Sequence, residues 1–139
     1  ELLINKKQKN MFKLTYFWGI ITYNRGLLML EILFGNETTE KILFYLIKNK
    51  KCYGNELARC FSISLSSFQK TLQKLEKSGL LVSFLVGKTR VFEFNPRHPF
   101  LKELIEFMNK AYSFLPEETK KTYYETMKRK RPRRTGKPL

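Results

Sequence analysis

At 139 residues the chain has room for one compact domain with appendages, and an apolar content of 42% with twelve phenylalanines supplies a sizeable core. Its 27 Lys and Arg against 12 Asp and Glu leave a formal charge of +15, an excess that opposes compaction and favours a polyanionic partner, nucleic acid before an anionic membrane surface. Two cysteines, Cys52 and Cys60, and the single His98 are too few for a disulfide framework or a zinc or arsenic sensor. The cysteines read as small apolar fillers in a reducing cytoplasm, and no metal or cofactor is expected.

Lys6, Lys7, Lys9 and Lys13 precede an apolar run from Leu14 to Ile21 that superficially resembles a signal peptide. No small-residue cleavage site follows, and Asn24 and Arg25 interrupt the run well short of the ~20 residues of a membrane span. Residues 1–28 are therefore read as an upstream extension that packs as an extra helix on a domain beginning at Met29.

Within that domain, Asn36 is a candidate N-cap for a helix running to about Asn49, with Glu37 and Glu40 where the helix dipole favours anions. Ile42, Leu43, Leu46 and Ile47 recur at helical spacing, which makes this the first core helix. Cys52-Tyr53-Gly54 breaks the pattern. Asn55 to Cys60 predicts a short helix with Leu57 and Ala58 facing inward, Ala58 being small where two helices must approach closely.

Phe61-Ser62-Ile63 predicts a turn, and Ser64 an N-cap for a helix from Leu65 to about Ser78. Leu65, Phe68, Leu72 and Leu75 fall on one side at 100° per residue. Ser66, Ser67, Lys70, Gln73, Lys74 and Lys77 occupy the opposite arc with no acid among them, and Gln69 lies at its border. Gly79 stops the helix at a position suited to positive φ. Leu81 to Val86 and Arg90 to Asn95 then read as a hairpin around Gly87-Lys88-Thr89, with Lys88 and Arg90 at its tip.

Two prolines, Pro96 and Pro99, separate this unit from an amphipathic helix carrying Leu101, Leu104, Ile105, Met108, Ala111, Tyr112 and Leu115. So long a stripe exceeds the need of a three-helix core. Leu101, Leu104, Ile105, Met108, Tyr112 and Leu115 are read as a dimerisation surface, the alternative being that they cover the domain's own core. Pro116 opens a further helical segment from Glu117 to Lys128. Residues 128–139 hold seven basic residues and no acid, so this tail is expected to be disordered. Its clustered Arg131, Arg133 and Arg134 suit a basic arm on phosphates or in a minor groove.

The ordered series of helix, turn, second helix with a polar outer face, and basic hairpin is the layout of a winged helix-turn-helix. The expected fold is mainly α with a small β-hairpin wing: an extension over residues 1–28, a winged helix-turn-helix over residues 29–98, a C-terminal helical region over residues 99–127, and the tail. From Leu33 onward the chain resembles bacterial transcriptional regulators of the broad ArsR/MarR type. The resemblance is carried by Leu33-Phe34-Gly35-Asn36, Glu56-Leu57-Ala58-Arg59, Ile63 to Lys70, Leu72 to Leu81, the hairpin Val86 to Phe92, and Phe94 to Pro99. It covers about two thirds of the chain and lacks the paired cysteines of metal-sensing members. It implies a dimeric repressor, and a protein partner besides DNA.

In such a protein affinity comes mainly from Lys and Arg neutralising phosphates, and sequence preference from the few side chains that reach base edges. Ser66, Ser67, Gln69, Lys70 and Gln73 are the base-edge candidates, while Lys74 and Lys77 lie further along the helix and suit the backbone. No nucleophile and base at recognisable spacing, no phosphate-cradling glycine loop and no acidic metal cluster points to an enzyme. Two other readings stay open: an RNA-binding or ribosome-associated basic protein, and an antitoxin-like module that partners an enzyme.

Overall fold

A computed structural model describes residues 30–125. The expected extension over residues 1–28 and the tail with Arg131, Arg133 and Arg134 lie outside the described residues. The chain opens with a single turn, α1 (Glu31–Phe34), which Gly35 closes at φ 64°. Helix α2 (Glu37–Asn49) starts as the sequence predicts, with Asn36 Oδ1 accepting from the Thr38 amide at 2.8 Å. It ends where Lys50 turns left-handed at φ 64° and donates its amide to the Leu46 carbonyl.

Five consecutive residues of α2, Ile42 to Leu46, are buried, so this helix is covered on every side rather than along one stripe. A helix apolar all round belongs at the centre of its domain. Phe68 and Leu72 pack on it together with Met108, Tyr112 and Leu115. The last three therefore belong to the domain's own core, which corrects their assignment to a dimerisation surface. The physical reason is that α2 needs a cover on the side away from the helix-turn-helix, and the helix α5 (Leu101–Ser113) provides it. Leu101, Leu104 and Ile105 are half-buried on the same helix.

Glu40 is also buried and accepts the Leu30 amide at 2.9 Å, tying the incoming chain to α2. Helices α3 (Gly54–Phe61) and α4 (Leu65–Lys77) form the helix-turn-helix, joined through Ser62 at φ 54°. The two helices approach closely at Gly54, at the start of α3, and Ala58 is half-buried against the core. A Cβ on Gly54 would stand 3.0 Å from Leu65 Cδ1.

The sheet has three strands, not two: β1 (Lys51–Cys52), β2 (Leu81–Val86) and β3 (Thr89–Phe94), in the order β1-β3-β2. Strands β2 (Leu81–Val86) and β3 (Thr89–Phe94) pair antiparallel from Leu81 opposite Phe94 to Val86 opposite Thr89. The turn is thus Gly87-Lys88, one residue shorter than predicted, with Gly87 at φ 63°. Strand β1 (Lys51–Cys52) pairs with Glu93 and Phe92 and brings the fully buried Cys52 into the core. Burial, then the Glu56 carboxylate, pushes the Cys52 thiol up to about 12. Cys52 is the apolar filler that the sequence suggests.

Within the predicted Glu117–Lys128 helix, of which residues 126–128 lie outside the described residues, one α-helical turn, α6 (Glu117–Thr119), gives way to a π-helical turn over Lys120–Tyr124. Aromatic packing accounts for the widened turn. Tyr124 lies edge-on to Phe44 and Tyr112, Tyr123 stacks on Phe61 at 5.5 Å, and Asn49 Nδ2 donates to the Tyr124 carbonyl at 2.9 Å.

Candidate nucleic-acid interface

Two layers of interaction hold α4 at the surface. Apolar contacts of Phe68 and Leu72 set its depth in the core. A closed polar ring then sets its rotation: Thr71 Oγ1 lies 2.6 Å from Thr38 Oγ1, which donates to Asn36 Oδ1 at 2.7 Å, while Asn36 Nδ2 donates back to Thr71 at 3.3 Å. Thr38 and Thr71 are buried, and the ring satisfies both hydroxyls away from water. At the helix start the Ser64 hydroxyl accepts from the Ser67 amide at 3.4 Å and lies 2.8 Å from the Ser67 hydroxyl.

With α4 so oriented, Ser66, Gln69, Lys70, Gln73, Lys74 and Lys77 are exposed and Ser67 is half-buried. The sequence-derived set thus shares one solvent-facing arc. At its edge stands Glu76, whose carboxylate is engaged. Arg90 donates to both of its oxygens through Nη2, at 3.0 and 3.1 Å, and to Ser83 Oγ through Nε at 2.8 Å, while Ser83 donates to Glu76. Arg90 therefore does not project from the tip of the hairpin. It reaches back over the Phe92 ring and fastens the hairpin to α4. Lys88, in the turn, is exposed.

Between the start of α3, the outer face of α4 and the hairpin runs a groove of about 370 Å³, lined by Tyr53, Asn55, Gln69, Gln73, Lys88, Thr89 and Arg90 among others. Tyr53, Asn55 and Thr89 were not among the sequence candidates. No local pattern singles them out, because only the fold of α3 against α4 brings them to the groove. Charge is distributed to match: residues 51–97 hold eight Lys and Arg against three Glu, whereas the other described residues hold seven against eight. Among the described residues no group of three or more His, Cys, Asp or Glu side chains is placed to hold a metal ion, and no helix is long and apolar enough to cross a membrane.

No known protein family and no curated protein matches the sequence. Solved structures resemble the fold at low identity. The antimony-specific transcriptional repressor AntR is 13% identical, with 81% of this chain and 86% of that chain covered and a TM-score of 0.46. The adhesin competence repressor AdcR of Streptococcus pyogenes is 18% identical, with 87% and 81% covered and a TM-score of 0.48. A transcriptional regulator from Pseudomonas aeruginosa is 15% identical, with 84% and 86% covered and a TM-score of 0.38. These likenesses transfer no residue role.

Proposed function

We propose that the chain binds double-stranded DNA with sequence preference and regulates transcription, repression being the mode that its resemblance to ArsR/MarR-type regulators favours. Helix α4 enters the major groove and the β2–β3 hairpin serves as the wing beside it. One observation carries this reading: a solvent-facing arc of hydroxyl, amide and ammonium groups on the second helix of a helix-turn-helix, whose one bordering carboxylate, Glu76, is neutralised by Arg90. Gln69 and Gln73 suit adenine edges, Lys70 suits guanine acceptors, and Ser66 and Ser67 reach a base or a phosphate. Lys74, Lys77 and Lys88 neutralise phosphates, joined by the tail with Arg131, Arg133 and Arg134. Arg90 joins them only by leaving Glu76.

Selection of bound duplexes from a random pool at a stated salt concentration, with RNA as competitor, tests the proposal. A recurrent motif that RNA does not displace is expected. Indifference to duplex DNA at low ionic strength, or equal competition by RNA, overturns it.

A further inference from the structure

The β2–β3 hairpin ends in two large apolar side chains that its own fold leaves uncovered. Leu85 and Val86, the last two residues of β2 before the Gly87-Lys88 turn, are 73% and 58% exposed. Residues 85–90 are all exposed, so the tip stands clear of the body. The ladder sets Leu85 opposite Arg90 and Val86 opposite Thr89, and successive side chains along a strand point to opposite faces. An apolar group therefore protrudes on each face of the tip. Single exposed apolar residues are ordinary on a surface, but a pair at the end of a projecting hairpin forms a knob.

The surroundings of the knob decide its partner. No Asp or Glu falls from Lys77 to Phe92, a stretch that holds Lys77, Lys88 and Arg90. Lys88, Thr89 and Arg90 also line the groove shared with Gln69 and Gln73 of α4, so the tip continues that surface. An apolar knob in acid-free, cationic surroundings fits a partner that is anionic outside and apolar within. A duplex, with its phosphate ridges and stacked bases, has that chemistry. Reach agrees: strands of six residues span about 20 Å, and neighbouring major and minor grooves lie about half of a 34 Å turn apart.

We infer that Leu85, backed by Val86, is a wedge that enters the minor groove next to the major groove holding α4 and partly opens one base step, bending the duplex. This rests on the reading of α4 and the hairpin as a duplex-binding surface. Apolar side chains inserted in this way kink DNA by roughly 20° or more. A wedge needs a firm mount, and the bonds of Arg90 to Glu76 and Ser83 fasten the hairpin to α4 while Gly87, at φ 63°, closes the turn tightly. Pyrimidine–purine steps such as TA and CA open most easily. Leu85 thus selects a step at which no polar side chain has to read a base.

Duplexes selected from a random pool by the full chain provide the probe, with end-to-end energy transfer reporting bending and 2-aminopurine fluorescence reporting unstacking. The full chain is expected to bend the duplex and to brighten 2-aminopurine at one flanking step, where TA or CA is preferred. Leu85→Ala should abolish both signals and weaken binding about tenfold, while the preferences read by α4 persist. A duplex carrying a mismatch at that step is already partly unstacked and should recover most of the lost affinity. Leu85→Phe should keep the bend, whereas Leu85→Lys should bind without bending. Binding with sequence preference but without bending or brightening sinks the wedge and leaves the duplex reading standing. So does a bend that survives Leu85→Ala combined with Val86→Ala. Loss of every sequence preference in Leu85→Ala would show that the side chain holds the hairpin in place, which also overturns the wedge. Failure to bind any duplex brings down the reading and the inference together.

Discussion

Lys70 and Gln73 stand one turn apart on the exposed arc of α4, where each can address a base edge without disturbing the core. Replacing either with alanine is expected to cost about 1 to 3 kcal/mol of discrimination at one base position, with thermal stability unchanged. Binding titrations against the selected duplex and its single-base variants measure this, and unchanged preference would remove that residue from the base-reading set. Thr71 acts at the same scale through position rather than contact. Thr71→Val keeps the shape but leaves the Thr38 and Asn36 groups short of a partner in a buried setting, at a cost of about 1 to 3 kcal/mol in denaturant unfolding. Thr71→Ser should recover most of it. Such a network is invisible along the chain, because Thr71 and Thr38 are 33 residues apart and a lone threonine on a helix face carries no signal of its partner.

Among elements, the wing is tied to α4 by Glu76, Ser83 and Arg90, so its angle to the helix depends on a half-exposed ion pair. Exposed pairs contribute little to stability, typically below about 1 kcal/mol, and Glu76→Gln should therefore barely move unfolding. Its effect belongs to binding: one carboxylate fewer strengthens attachment to any duplex, while a loosened wing narrows the gap between selected and random duplexes. Parallel salt titrations on the two duplexes separate these effects, and an equal gain on both would show that the pair sets no geometry. Element boundaries were largely legible. Asn36 and Ser64 as caps and Gly79 at φ 78° follow from local chemistry that acts within a few residues. Strand β1 was not legible, since two residues show no alternation, nor was the π-helical turn, which the packing of Tyr123 and Tyr124 on Phe61 imposes from outside the segment.

For the whole molecule, charge is uneven along the chain. Twelve of the 27 basic residues, but only one acidic residue, fall in residues 1–29 and 126–139. Deleting residues 128–139 removes seven cations and should lower the slope of log affinity against log salt by up to about six, with sequence preference retained. A slope that does not change would place the tail away from DNA. Stability should fall on the alkaline side. Burial holds the Cys52 thiol, ordinarily at 9.0, up to about 12, and burial with Glu125 and Glu117 raises Tyr112 from 10.0 to about 12. Both groups keep their protons longer in the folded state than in the unfolded one, so their contribution is complete below pH 9 and is lost as pH rises towards 12. Unfolding midpoints measured across that window check the sign, and Cys52→Ala should remove much of the part that begins near 9, the Cys60 thiol, also raised from 9.0 by burial, keeping the rest.

The chain by itself determined the succession of helices and hairpin, the polar arc of α4 and the basic excess, because caps, turns and periodicity act over a few neighbouring residues. Which face of α5 is core and which is free was decided only in three dimensions. Amphipathic spacing marks an apolar stripe but not what covers it, and α2, buried on all sides, draws Met108, Tyr112 and Leu115 inward while Phe100, Phe107 and Phe114 remain at the surface.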